Sequence, residues 1–176
     1  MIDVLRDHRR VCDGFTVVAR SVGDHWGAPS PCTEWDARGV LEHVIGFHDV
    51  LLLRPLGAKP ARPKDDPEAR WTVTVHALFD ALSRPEVLDA RRQSLLGTLT
   101  TDVLVHTWDL GKAIGVDVTL DPRLCQMGLD RARANREQFE QSAMFAPAVS
   151  VAEEARAQDR LLGFFGRDPR WCPNGP

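Results

Sequence analysis

No apolar run in the chain approaches the roughly 18 to 20 residues that a helix needs to cross a bilayer. Clusters of Lys and Arg are missing as well. With 22 basic and 25 acidic residues the net charge is −3, so the electrostatic footprint of a nucleic-acid binder is absent. The opening MIDVLRDHRR carries charges where a secretory signal needs an apolar core, which makes the cytoplasm the expected compartment. Cysteine is sparse: Cys12, Cys32, Cys125 and Cys172 form no C-x-x-C pair, so free thiols are expected rather than disulfides or a zinc cluster. There is no phosphate-binding glycine loop, nucleophile elbow, dinucleotide fingerprint, internal repeat or low-complexity tract. Tyrosine is absent beside five tryptophans, an imbalance to which no functional reading attaches.

What is present suits one folded domain over residues 1–176, with 43% hydrophobic and 27% charged residues. Val4, Leu5, Val11, Phe15, Val18 and Val22 recur near a 3.6-residue period and predict a helix over about 3–22. Prolines and glycines in GDHWGAPSPC make a loop. Thr33 or Asp36 then caps a second helix that ends at Pro55. Beyond a surface loop at 57–66, Pro67 opens a third helix reaching about Leu82. The most apolar helical pattern covers about 88–114, with a break expected near Gly97 and Gly115 as its C-cap. Asp121-Pro122 opens a helix to about Ser142, and a short helix is expected over about 152–165. The alternating VDVTL at 116–120 is the one strand candidate and has no evident partner. The expected fold is all-α, an up-down four-helix bundle with additional short helices.

The sharpest chemical feature is TTDVLVHTWDLGKAIG. Residues four apart on a helix point the same way, so Asp102 and His106 share a face, and Asp109 continues the stripe. The flanking Val103, Leu104, Val105, Trp108 and Leu110 bury that helix almost all round, which turns the stripe toward an interior. A buried carboxylate and imidazole require compensation. A divalent cation supplies it; so does a simple Asp–His hydrogen bond or an arginine from another helix. In GVLEHVIG, Gly39, His43 and Gly46 share a face. The two glycines either clear space around the histidine for a ligand or permit close helix packing. His48 points to another face than His43, and His8, His25 and His76 have no positional partner. Cys32 precedes the His43 helix, within reach of that site or as an inert thiol.

PSPCTEWDARGVLEHVIG, TDVLVHTWDLGKAIG and AQDRLLGFFGRDPRW together resemble, in order, three motifs of the actinobacterial maleylpyruvate isomerase N-terminal-domain family within the DinB-like superfamily. The resemblance implies a metal site at one end of the bundle core, with His43, Asp102 and His106 as ligands. Zinc is the default ion and nickel also suits the donors. It further implies a mycothiol-dependent transferase or isomerase, in which the metal lowers the pKa of a thiol cosubstrate and Asp109 orients a ligand. A metal Lewis-acid tailoring enzyme of secondary metabolism and a non-catalytic small-molecule-binding bundle are the alternatives. The partner in each case is a small molecule, and homodimerisation is consistent with the superfamily. Two residues depart from the family pattern: Asp102 stands where Glu or His is frequent, and Gly111, expected to loosen packing, stands where Ala is usual. A single domain is expected, without the second domain that accompanies the true isomerases of this resemblance, so the isomerase activity itself is not carried over.

Overall fold

The computed structural model describes residues 3–137 and 146–173, and among them the protein is all-helical, with six α-helices and no strand. Cys12, Cys32 and Cys125 are free thiols. Each of the first five helices begins where a side-chain acceptor meets an otherwise unbonded amide. Asp3 caps α1 (Val4–Arg20) by accepting from the Arg6 amide at 3.0 Å. At α2 (Ala37–His48) it is Asp36 rather than Thr33 that does so, accepting from Gly39 at 2.7 Å. Asp66 caps α3 (Pro67–Leu82), Asp89 caps α4 (Ala90–Ala113) and Asp121 caps α5 (Pro122–Ala134).

Directly after α2 the chain adds a π-helical turn, Asp49–Leu53, and the loop that follows is pinned back onto it. Arg62 forks onto Asp49 at 2.6 and 2.9 Å and its Nε donates to Thr74 at 2.7 Å.

Three expectations change. α4 runs unbroken through Gly97, and the Arg131 guanidinium of α5 lies in the space that a side chain there would occupy. α5 closes at Asn135, and the part of the expected helix at 138–142 lies outside the described residues. The last helix, α6 (Ala157–Phe164), starts later than expected because 152–156 form turn and irregular chain.

VDVTL stays unpaired as a strand. Gln158 of α6 takes the place of a neighbouring strand: its Nε2 donates to the Val118 carbonyl at 3.0 Å and its Oε1 accepts from the Leu120 amide at 2.8 Å. This segment crosses so close to α4 that a Cβ on Gly111 would run into Val118 and lie 3.1 Å from the Val116 carbonyl. Gly111 therefore tightens packing rather than loosening it, and an alanine there forces the crossing apart at a cost of about 1–3 kcal/mol.

α1 packs against α4 and α3, α2 packs against α4 and α3, and α5 bridges α4 to α6. Phe15, Leu41, Trp71, Leu78, Leu99 and Leu110 are among the fully buried side chains that fill the space between them. The second half of α4 is buried from Val103 to Gly111, so its polar residues are largely shielded from bulk water.

Candidate metal centre

α2 and α4 lie side by side, and the helical stripe on each meets the other. His43 of α2 places Nε2 3.2 Å from Oδ1 of Asp102, and His106, one turn further along α4, places its Nε2 3.5 Å from the same oxygen. The three donor atoms lie within 4.8 Å of one another. The carboxylate of Asp102 thus reaches both imidazoles despite being one methylene shorter than glutamate.

The second oxygen of Asp102 decides what the cluster needs. Oδ2 is buried and has no hydrogen-bond partner. An orphaned carboxylate oxygen in a protein interior carries the full penalty of lost hydration, on the order of 1–3 kcal/mol or more for a charged group. A cation at the focus of these three side chains would remove that penalty.

Behind the cluster lies a chain of alternating charge. His106 Nδ1 donates to Asp109 Oδ2 at 2.9 Å, which leaves Nε2 facing Asp102. Asp109 is fully buried and is gripped from the far side by Arg167, with Nη2 at 2.7 Å from Oδ2 and Nε at 3.2 Å from Oδ1. Burial opposes ionisation of Asp102 and Asp109, yet the neighbouring His106 outweighs it and holds both carboxyls below their ordinary values, with Arg167 assisting at Asp109. Burial likewise opposes a charge on His106, but Asp102 and Asp109 prevail and raise its pKa to about 9.

That raised value fixes the sign of a pH effect in the metal-free chain. A histidine lifted from 6.5 to about 9 contributes stability in full below 6.5 and loses it as pH climbs to about 9. His8 and His48 are pushed the other way by burial, so their contribution is lost below 6.5, outside this window. Urea unfolding with chelator present is therefore expected to show stability falling between pH 6.5 and 9, by at most about 3 kcal/mol. A stability that stays flat or rises over that range would contradict the ion-paired His106.

The aromatic wall comes from the PSPCTEW segment. Trp35 stacks on His43 with centroids 4.4 Å apart and tilts toward His106 at 5.7 Å, while Phe47 flanks His43 at 5.4 Å. The two glycines of α2 divide their roles. A Cβ on Gly39 would lie 2.8 Å from the Trp35 Cβ, so this glycine lets the indole sit over His43, whereas Gly46 faces open space. The His43 side chain keeps 27% of its surface exposed against 10% for Asp102 and 6% for His106, which makes it the open edge of the site.

Sequence reasoning left Trp35 and Arg167 without roles, although both stand in the quoted motifs. Cys32 is half-buried and senses the charges of Arg167 and Asp109; burial raises its thiol pKa, as in an inert thiol. His8 was expected to lack a positional partner; it meets His48, Cys12 and Thr100. The i, i+4 spacing of His8 and Cys12 was the available signal.

Over 183 aligned positions the chain is 32% identical to the uncharacterized protein Rv0738 of Mycobacterium tuberculosis strain H37Rv, covering 96% of this chain and all of that protein. The uncharacterized protein MT0763 of strain CDC 1551 matches to the same extent. The chain belongs to their family. No family model matches it, and no solved structure gives a significant match. The alignment to the mycobacterial relatives spans nearly the whole chain, including the two helices, α2 and α4, that carry the cluster.

Proposed function

We propose that this protein is a metal-dependent enzyme of the DinB-like type in which His43, Asp102 and His106 hold one divalent ion, zinc by default or nickel. The observation that carries this reading is the buried, unpartnered Oδ2 of Asp102 beside two imidazole nitrogens. The packing of α1 and α2 each on both α3 and α4 supports the four-helix, up-down architecture that such a site requires.

The surroundings favour an anionic partner. With both histidines neutral, a divalent ion beside Asp102, Asp109 and Arg167 leaves one net positive charge in a buried setting. A thiolate of a mycothiol-like cosubstrate would neutralise it, and three protein ligands leave a position for it. A divalent ion bound there supplies Lewis acidity, lowering the pKa of a thiol or water at neutral pH. The reaction class that fits is transfer to, or isomerisation of, a small organic substrate.

The chain's own residues supply orientation and exclusion of water. Asp109 holds the Nδ1 proton of His106 and so presents Nε2; it is a positioning residue, since its oxygens are engaged by His106 and Arg167. Trp35 and Phe47 wall the exposed edge of His43. Metal content measured on protein purified without chelators tests the proposal. Wild type is expected to retain one equivalent of metal more than His106→Ala; equal metal content in the two would remove the enzymatic reading.

A further inference from the structure

A second cluster sits where α1 meets the end of α2, and it contains no carboxylate. His8 and Cys12 lie one turn apart on α1, and His48 is the last residue of α2, immediately before the π-helical turn. His48 follows His43 by five residues, about 140° around the axis. One helix therefore serves two clusters, His43 toward α4 and His48 toward α1. All three side chains are completely buried. The Nε2 atoms of His8 and His48 are 3.1 Å apart, and Cys12 Sγ is 3.6 Å from the His8 Nε2.

The protons around this cluster do not close. His48 Nδ1 lies 2.7 Å from the Val44 carbonyl and must donate to it, so its Nε2 is bare when the ring is neutral. Thr100 has one hydroxyl proton, which goes to the Leu96 carbonyl at 2.7 Å. Its oxygen is left to accept from His8 Nδ1 at 3.1 Å, and His8 Nε2 is bare too. Two lone pairs then face each other at hydrogen-bond distance; the Cys12 thiol can donate to the one on His8 at 3.6 Å, which leaves the His48 Nε2 without a donor. An extra proton between the rings would settle the geometry, but burial lowers the pKa of both histidines and resists it. Neutral rings close the network only if Thr100 turns away from Leu96 to donate to His8.

A metal ion satisfies every group at once. Ligand atoms around one tetrahedral zinc stand about 3.3–3.7 Å apart for nitrogen and sulfur donors, close to the spacing here. Each histidine also has its other nitrogen fixed by a backbone or hydroxyl oxygen, as ligating histidines do. We propose that His8, Cys12 and His48 form a second, fully buried metal centre that takes a thiophilic cation, Zn2+ or Cu+, through two imidazole Nε2 atoms and one thiolate. Cys12 gives up its thiol proton to solvent as the ion enters. With Cu+ the centre is neutral and three-coordinate; with Zn2+ one positive charge remains, and Asp102 exerts its field on both histidines. Enclosed on all sides, the centre clamps α1 to α2 rather than meeting substrate, so its binding energy appears as folding stability. It stands independently of the function proposed above.

Sulfur distinguishes this centre from the one at Asp102. The experiment uses the full-length Cys32→Ser/Cys172→Ser protein, produced in cobalt-supplemented medium as a zinc surrogate or loaded with Cu+ under anaerobic conditions. The expected result is thiolate-to-cobalt charge-transfer absorption, or X-ray absorption showing one sulfur and two nitrogens around copper. The arm that responds identifies the ion. The signal is expected to vanish in Cys12→Ala and in His48→Gln, and to persist in Asp102→Ala. A folded parent protein with no sulfur-ligated metal in either arm overturns the proposal, as does a signal that survives Cys12→Ala. Loss of metal from Asp102→Ala with the sulfur signal intact bears only on the other site.

Discussion

Substituting alanine for Asp102 is expected to weaken Zn2+ binding at the His43 and His106 centre by at least about 100-fold while the helical fold survives. This figure starts from what loss of an outer-shell partner alone does to a metal site, about 10–100-fold, and Asp102 is the only anionic donor of its set. Two neutral imidazoles remain, and the ion would have to stay in a buried site with no carboxylate to offset its charge. The effect on the metal-free chain is smaller and changes sign with pH. Below about 9 the substitution removes the attraction between Asp102 and the His106 imidazolium. At higher pH His106 is neutral, and the substitution deletes a costly buried carboxylate with an orphaned oxygen. Competition with a chromophoric zinc chelator reads the affinity, and far-ultraviolet dichroism reads the fold. Affinity within threefold of wild type would show that Asp102 does not ligate.

The local part of this architecture was readable because its causes are local. Pro67 at the first turn and Arg84-Pro85 beyond the last bracket α3, and its observed span, Pro67–Leu82, follows those breakers. The buried stripe of α4 follows from apolar residues on nearly every side of Asp102, His106 and Asp109, a matter of helical spacing. Contacts between distant segments were not readable in this way. Gly97 reads as a weak point in a helix until the Arg131 guanidinium is seen against it, and Gly111 reads as slack until Val118 is. Arg167 reaches Asp109 across 58 residues and His8 reaches His48 across 40, separations at which no periodicity carries information. Helical geometry gave Asp102 and His106 a common face; the approach of His43 from another helix came only through the family resemblance.

Arg167→Met is expected to destabilise the protein by about 3–5 kcal/mol, because it leaves the carboxylate of Asp109 buried with half its compensation gone. The guanidinium meets Asp109 as a fork, with 8% of the arginine side chain and none of the aspartate exposed, so solvent cannot step in for the lost partner. The His106 imidazolium still faces Asp109 in the metal-free chain, which places the loss toward the lower end of that range. Metal loading removes that second cation by demanding a neutral His106, so the cost of Arg167→Met should grow when Zn2+ is bound. Asp109→Asn keeps an oxygen for the His106 Nδ1 proton yet strands Arg167 instead. The double variant discards both charges, retains that hydrogen bond, and is expected to regain most of what either single change loses. Urea unfolding of the four proteins closes the thermodynamic cycle. If Arg167→Met unfolds within about 1 kcal/mol of wild type, or the two losses simply add, the ion pair is not what holds the tail of the chain against α4.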